Sequence, residues 1–354
     1  VAIGFLFPRS REGEHPGYTM RLHWTQSGFS ASSAELGAAT HHVLGGTICC
    51  YDPLAPATYA GQTVADSDVV IVRPTADDAR EIRDLQNQIW RPTTPDALYP
   101  ADIHSLDFRP GTSLVVKVVR KPAGFLFGFY KLRASALPAL IAERFRTDFC
   151  LESQLMGILP EYRGHNLSVV LKREQAELAR AEGIQIVNWT FDPLQYPNAH
   201  LNFSRLGAVA FAFYPNYYDF HNDLNVAPAS RLLVTWLIDS ARVRSELTGP
   251  GLTEIDLAAT SDVVRLNRGP EPVAAPNGTR RIAIEIPENW TRLQRDAAQL
   301  ELALSWRKTT DDILAQWLGV EHGKYVLTGT GRDAARHYLI GERIDDELLR
   351  VLSE

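Results

Sequence analysis

The sequence is poor in cysteine, with three in 354 residues, two of them adjacent at Cys49 and Cys50. Neighbouring cysteines make neither a metal-binding CxxC nor a disulfide framework, which fits a reducing, cytoplasmic setting. Long apolar runs are missing as well. A membrane span needs roughly 18 to 20 consecutive apolar residues, whereas the opening VAIGFLF is ended by Pro8 and Arg9 and reads as a strand or tail, not a signal peptide. There is no basic excess: 36 Lys and Arg against 42 Asp and Glu give a net charge of -6, which argues against a general nucleic-acid binder. His41, His42, His165, His200 and His221 fall into no metal-ligand spacing. Ser153 lacks the G-x-S-x-G elbow of a serine hydrolase. Internal repeats and coiled-coil heptads are absent. The expectation is a protein with no metal, no nucleic-acid partner and no membrane partner.

What is there is enough for large cores, since 45% of residues are hydrophobic. The length exceeds one average domain. Three parts are expected: an accessory segment over 1–66, whose helix-like stretch is SSAELGAATHHV; a regular α+β core over 67–245; and an α+β extension over 246–354, packed on that core behind Pro/Gly-rich connectors. In the core, DVVIVRP predicts a strand and TADDAREIRDLQNQIW an acid-started helix. Residues 101–106 predict a second short helix. TSLVVKVVR and GFLFGFYKL predict a hairpin turning at Lys121-Pro122-Ala123.

The stretch from Cys150 to Gly207 carries most of the chemistry. LESQLMGILP predicts a strand with Gly157 at a bulge position, followed by a basic turn, a long helix over 167–183 stopped by Gly183, the strand IQIVNWTF, and a short helix NAHLNFSRLG. At the turn from Glu161 to Ser168, the open N–H groups of a helix start meet Arg163 and the backbone freedom of Gly164, a combination suited to a phosphate.

LPEYRGHNLSVVL resembles the acyl-CoA-binding segment of the GCN5-related N-acetyltransferase (GNAT) superfamily. The family pattern of Gln or Arg, two residues, Gly, one residue, then Gly or Ala falls on Arg163, Asn166 and Ser168. The first position matches. Asn166 and Ser168 replace the small residues, and Asn tolerates a left-handed backbone better than most. VVIVRPTADDAREIRDLQNQIW is similar to the family's opening strand and helix. The run WTFDPLQYPNAHLNFSRLGAVAFAFYPNYY, with IAIEIPENW and LSWRKTTDD, is similar to a branch of predicted acyltransferases with a longer carboxy-terminal part.

The resemblance implies a mixed, mostly antiparallel twisted sheet flanked by helices. It also implies a slot where the strand over 151–160 splays from the next. Acetyl-CoA or another acyl-CoA would enter as cosubstrate, its arm against Leu155, Gly157, Ile158 and Leu159 and its phosphates on Arg163, Gly164, His165, Asn166, Leu167 and Ser168. Asn198 and Asn202, four apart on one helix, are expected to hydrogen-bond the arm. The Ile158 N–H would stabilise the oxyanion. Glu152 is the first candidate base, with His104 and Asp107 on the acceptor side. The tyrosine that protonates the leaving thiolate in the family is replaced by Phe203, leaving Tyr218, or Tyr214 or Tyr217, as the acid.

The expected function is direct transfer of an acyl group to the amine of a small metabolite or amino acid. Arg307 and Lys308 are candidates to meet an acceptor carboxylate. A catalytically inactive CoA-sensing or protein-interaction module of the same fold is the alternative. Edge strands leave room for a homodimer.

Overall fold

In the computed structural model the described residues are 69–90, 111–132, 137–145, 148–218, 227–249, 253–276 and 278–354, with Thr58–Tyr59, Gln62–Thr63 and Leu98. The expected accessory helix at 32–43 and the short helix at 101–106, with His104 and Asp107, lie outside them.

The chain opens with β1 (Val69–Val72) and α1 (Ala76–Trp90). Thr75 starts the helix as the sequence predicts. Its N–H donates to the Asp78 carboxylate at 2.8 Å, while the Asp78 N–H donates to its hydroxyl at 3.3 Å, so the two orphan ends of the first turn satisfy each other. β2 (Gly111–Val118) and β3 (Lys121–Leu132) form the hairpin. Its turn falls on Val119 and Arg120, with φ of 47° and 66°, two residues before the expected Lys121-Pro122-Ala123. Two left-handed residues in a row match the twist of a tight hairpin, so the turn occupies the two residues between the paired strands and Pro122 is carried inside β3.

After α2 (Ala139–Arg144), β4 (Phe149–Ile158) pairs antiparallel with β3. The bulge in β4 is at Ser153 and Gln154, opposite Gly128, and not at Gly157 as the sequence suggests. Gly157 is small for a different reason: a Cβ there would sit 2.8 Å from Ile89 of α1 and 2.9 Å from the Phe125 ring. Next come α3 (Leu167–Ala181), β5 (Ile186–Phe191), α4 (Tyr196–Ala199, continuing as a π-helix over His200–Arg205), β6 (Val209–Tyr218) and β7 (Ala229–Leu237). The strand order of this part is β1-β2-β3-β4-β5-β7-β6, with only β4 and β5 parallel.

The carboxy-terminal strands extend the same sheet. After α5 (Ala241–Thr248) come β8 (Val263–Arg265), β9 (Arg281–Ile286), α6 (Trp290–Arg295), α7 (Leu300–Trp317), β10 (Tyr325–Asp333), β11 (Arg336–Arg343) and α8 (Asp346–Ser353). Their order is β8-β9-β11-β10, and β10 meets β6 at Leu327 opposite Ala210. The largest apolar core among the described residues crosses the join. It contains Phe203, Trp236 and Val234 from one side and Ile284, Trp290, Leu314 and Leu327 from the other.

Candidate active site

The feature that makes a site is the way β4 leaves β5. Their parallel ladder pairs Leu151 with Val187 and Glu152 with Asn188, and stops there. The bulge at Ser153 and Gln154 coincides with the end of that ladder, since an extra residue bends a strand and raises its twist. Residues 153–158 therefore run along an opening slot. Near its far end the Leu159 N–H donates back to Ala123 of β3 at 2.9 Å. Successive N–H groups of an extended strand point to opposite edges, which directs the Ile158 N–H toward the slot. The Ile158 carbonyl accepts from Arg163 Nε at 3.2 Å.

The turn behind the slot is built from two left-handed residues, Gly164 (φ 84°) and Asn166 (φ 59°). The asparagine thus adopts the conformation for which a glycine is the usual choice. Its side chain does not cap α3; Oδ1 accepts from Arg205 at 3.2 Å instead. No side chain caps the start of α3: the Val169 and Val170 N–H groups donate to the Asn166 carbonyl at 3.0 and 3.2 Å, and those of the two residues before them have no intrahelical acceptor. His165 Nε2 is buried in this turn with no protein partner, while Nδ1 lies 3.0 Å from the Arg163 carbonyl.

At the other end the slot meets a cleft of about 320 Å³, lined by Glu152 and Gln154 of β4, Asp192, Asn198, Tyr218 and Arg231, with Thr190, Phe191 and Gln195. Glu152 is ion-paired with Lys131. Tyr217, beside Tyr218 at the end of β6, has its hydroxyl pushed above the ordinary range by burial and by the nearby Tyr218 and Glu152, so it keeps its proton at neutral pH. Arg231 lies across β7 with its guanidinium carbon 5.0 Å from the centre of the Tyr218 ring. Its Nη1 donates to the Ser230 carbonyl at 2.9 Å and stands 3.9 Å from the Asp192 carboxylate.

The wall behind Asp192 comes from the carboxy-terminal helices. Asp192 accepts from Trp290 Nε1 at 3.0 Å, from Arg307 at 2.6 Å and from the Leu194 N–H at 3.0 Å. Arg307 is 3% exposed, stacks its guanidinium over Trp290 at 4.8 Å and faces Asp311 at 3.7 Å. Asp311 accepts from the Ser230 hydroxyl at 2.5 Å, and burial pushes its carboxyl up to about 6 despite that bond and the arginine. Arg307 is thus turned inward onto two carboxylates and is not among the cleft residues. Lys308 is exposed and pairs with Asp312 at 2.5 Å. The cation that lines the cleft is Arg231, which the sequence reading did not single out.

A second missed residue is Lys172 of α3, 2% exposed. Its amine donates to the Ser153 hydroxyl at 2.7 Å and lies 3.5 Å from the centre of the Trp189 ring. Burial, opposed by the charge of Glu152, lowers its basicity well below that of an ordinary lysine. It ties the bulge of β4 to α3.

Of the expected site residues, Glu152, Tyr218 and Asn198 are brought into one cleft. Leu155, Gly157, Ile158 and Leu159 follow the slot edge, and Arg163, Gly164, His165, Asn166, Leu167 and Ser168 form the turn and helix start beyond it. Asn202 lies elsewhere. The change to π-winding at His200, seen in the Leu206 N–H donating to Leu201, breaks the four-residue spacing that would align it with Asn198. It is buried, and its Oδ1 accepts from Trp189 Nε1 at 3.2 Å. Phe203 is fully buried against Phe191, their rings 5.8 Å apart and edge to face. Among the described residues no cluster of His, Cys, Asp or Glu could hold a metal ion, and no helix is long and apolar enough to cross a membrane.

No family model matches the chain, and no curated protein does. Among solved structures, an acetyltransferase of the GNAT family from Streptococcus pneumoniae is similar at 17% identity, covering 48% of this chain and 99% of its own, with a TM-score of 0.37. The Drosophila melanogaster polyamine N-acetyltransferase gives the same identity, coverage and score. The ribosomal-protein-S18-alanine N-acetyltransferase of Escherichia coli is 11% identical over 49% of this chain and 96% of its own, with a TM-score of 0.36. Scores of this size carry no weight for activity. The mixed, mostly antiparallel twisted sheet flanked by helices is consistent with the GNAT fold, with β4–β5 the one parallel pair among the first seven strands and with extra carboxy-terminal elements on the same sheet.

Proposed function

We propose that the chain is an acyl-CoA-dependent N-acyltransferase, with acetyl-CoA as the first choice of donor and a small amine as acceptor, acting in the cytoplasm. The observation that carries this reading is the end of the β4–β5 ladder at Glu152, where the slot joins the cleft beside a candidate base. The turn fits an anionic donor. Gly164 and Asn166 are both left-handed, nothing lies within 4 Å of a Cβ built on Gly164, and the buried His165 Nε2 has no protein partner there. Arg163, Gly164, His165, Asn166, Leu167 and Ser168 would hold the phosphates, and Leu155 to Leu159 the arm. When bound, the thioester supplies the activated acyl group.

The chain's own residues do the rest. Glu152 accepts a proton from the acceptor ammonium, directly or through a water, to give the nucleophilic amine. The Ile158 N–H, aimed into the slot, meets the developing oxyanion. Tyr217 or Tyr218 donates the proton that the departing thiolate needs, a task Phe203 is chemically unable to perform. Calorimetry with acetyl-CoA and succinyl-CoA tests the donor. Binding of one at micromolar concentration is expected, and no heat from either at millimolar concentration defeats the reading. The burial of Phe203 in the core favours the inactive, CoA-sensing alternative in one respect, because no acid stands at that position. Amine-dependent release of free CoA rejects it.

A further inference from the structure

The cleft carries opposite charges on its two walls. Glu152 stands on β4 at the level of Asn188, and Arg231 on β7 follows the Phe191–Leu232 pair, beside Asp192. From the Glu152 level to the Arg231 level is four residues along β5, or about 13 Å, with two strand spacings of about 4.8 Å to cross. Both side chains line the same cleft. The Glu152 carboxylate is held by Lys131 of β3, on the side of β4 away from β7, and Arg231 opens on the same cleft from the other wall. The cleft volume sits near the small end of the range for small-molecule pockets.

Resting on the acyltransferase reading, we propose that the acceptor is an amine that also bears a carboxylate, an amino acid or close analogue, with its amine at Glu152 and its carboxylate on the Arg231 guanidinium. Three observations support the assignment. Arg231 is held in place before any ligand arrives, by the Ser230 carbonyl, the Tyr218 ring and the charge of Asp192, and its side chain is 13% exposed. A guanidinium presents its N–H donors in a planar fork that matches the two oxygens of a carboxylate. Asp192 is drawn toward Arg307, Trp290 and the Leu194 N–H at hydrogen-bond distances, while its approach to Arg231 is at 3.9 Å, beyond that range.

A dicationic acceptor fits less well. It could use the two carboxylates Glu152 and Asp192, but its second ammonium would have to stand beside Arg231 in a partly desolvated cleft, where like charges repel strongly. Asn198 and Gln154 add neutral donors and acceptors to the lining of the same cleft.

The test compares matched acceptors with and without the carboxylate: alanine with ethylamine, histidine with histamine, and lysine with cadaverine. Release of CoA from acetyl-CoA is followed with the full chain. The carboxylated member of a pair is expected to have the higher kcat/KM by about 100-fold, the value of a charge-assisted bidentate contact. Arg231→Met is expected to bring that ratio toward one, chiefly through KM. Arg231→Lys, which keeps the charge and the fold but loses the fork, is expected to retain part of it. Calorimetry of alanine, histidine and lysine against the wild type and both variants gives a readout independent of acyl transfer. Amino-acid binding that depends on Arg231, without acetyl-CoA binding, sinks the acyltransferase reading and keeps the carboxylate site. Acetyl-CoA binding with equal or better turnover of the decarboxylated amines sinks the carboxylate site alone. An absence of Arg231-dependent binding and of Arg231-dependent turnover also overturns it.

Discussion

Two cations are buried in this molecule to almost the same degree and are treated in opposite ways. Lys172, under the β4 bulge, has a hydroxyl, an amide oxygen and a tryptophan face as its contacts, and among the described residues no carboxylate within ion-pair distance. Arg307, behind β5, is clamped between Asp192 and Asp311. The difference follows from proton chemistry. A lysine can meet the cost of burial by releasing its proton, and Lys172 has a strongly lowered basicity, with burial as the first cause. A guanidinium keeps its charge at any accessible pH, so burying one demands counter-charges. The lysine region is therefore a brace on the slot whose proton is weakly held, and the arginine region a permanently charged one on the cleft wall.

The largest break in this contrast comes from Arg307→Leu. It leaves Asp311 without a cation and Asp192 with Arg231 at 3.9 Å alone, and a loss of about 3 kcal/mol is expected in guanidinium unfolding. Adding Asp192→Asn and Asp311→Asn to the same chain should recover part of that loss, because the penalty lies in the uncompensated charges.

A smaller effect is expected from Asp311→Asn alone, read as a pH dependence. The folded carboxyl titrates at about 6, above the 3.8 of a free side chain, so the native state holds its proton more tightly than the unfolded chain. The stabilisation is complete below the unfolded value and is lost as pH rises through about 6. Between those values wild-type stability should fall by about 3 kcal/mol at most, and the asparagine variant should lack that slope.

The smallest effect belongs to Lys172→Met. Lys172 has no ion pair to break among the described residues and holds its proton weakly, so stability at pH 7 should change by less than about 1.5 kcal/mol, the scale of one hydrogen bond to Ser153. Its pH signature has the opposite sign to that of Asp311. The folded lysine binds its proton more weakly than the unfolded one, so wild-type stability rises with pH toward about 10.5. The methionine variant should show no such rise in an alkaline denaturation series. A loss as large as that of Arg307→Leu would mean that Lys172 is charged in the fold.

Both residues were within reach of the sequence. Ser168, Lys172, Gln175 and Ala179 are spaced four, three and four, as are Ala303, Arg307, Thr310 and Leu314, and each set marks one helix stripe. A polar residue on a stripe that ends in buried apolar ones is a signal of an inward cation, masked here by the exposed charges of KREQAELAR and RKTTDD. The order of strands β1 to β5 with helices α1, α3 and α4 was legible, because each element keeps its own hydrophobic period and its own stop, whereas the short α2 was not. The bulge was not, since its place depends on Gly128 of the neighbouring strand. Nor was the turn of Asn202 out of line with Asn198, since π-winding leaves no trace in the spacing of apolar residues. Arg231 was overlooked because RLLVTWLI reads as a core strand, and which end of such a strand borders a cleft is decided only by the elements packed around it.

The end of the β4–β5 ladder has a further consequence. A strand with an unmatched edge at the border of a sheet is a template for recruiting other copies, and proteins guard such borders against aggregation. Here the unmatched edge lies inside the sheet, with β5 diverging on one side and β3 fully paired on the other. The opening selects by thickness before any side chain is consulted: it admits a visitor as slender as a single extended chain and turns away a sheet.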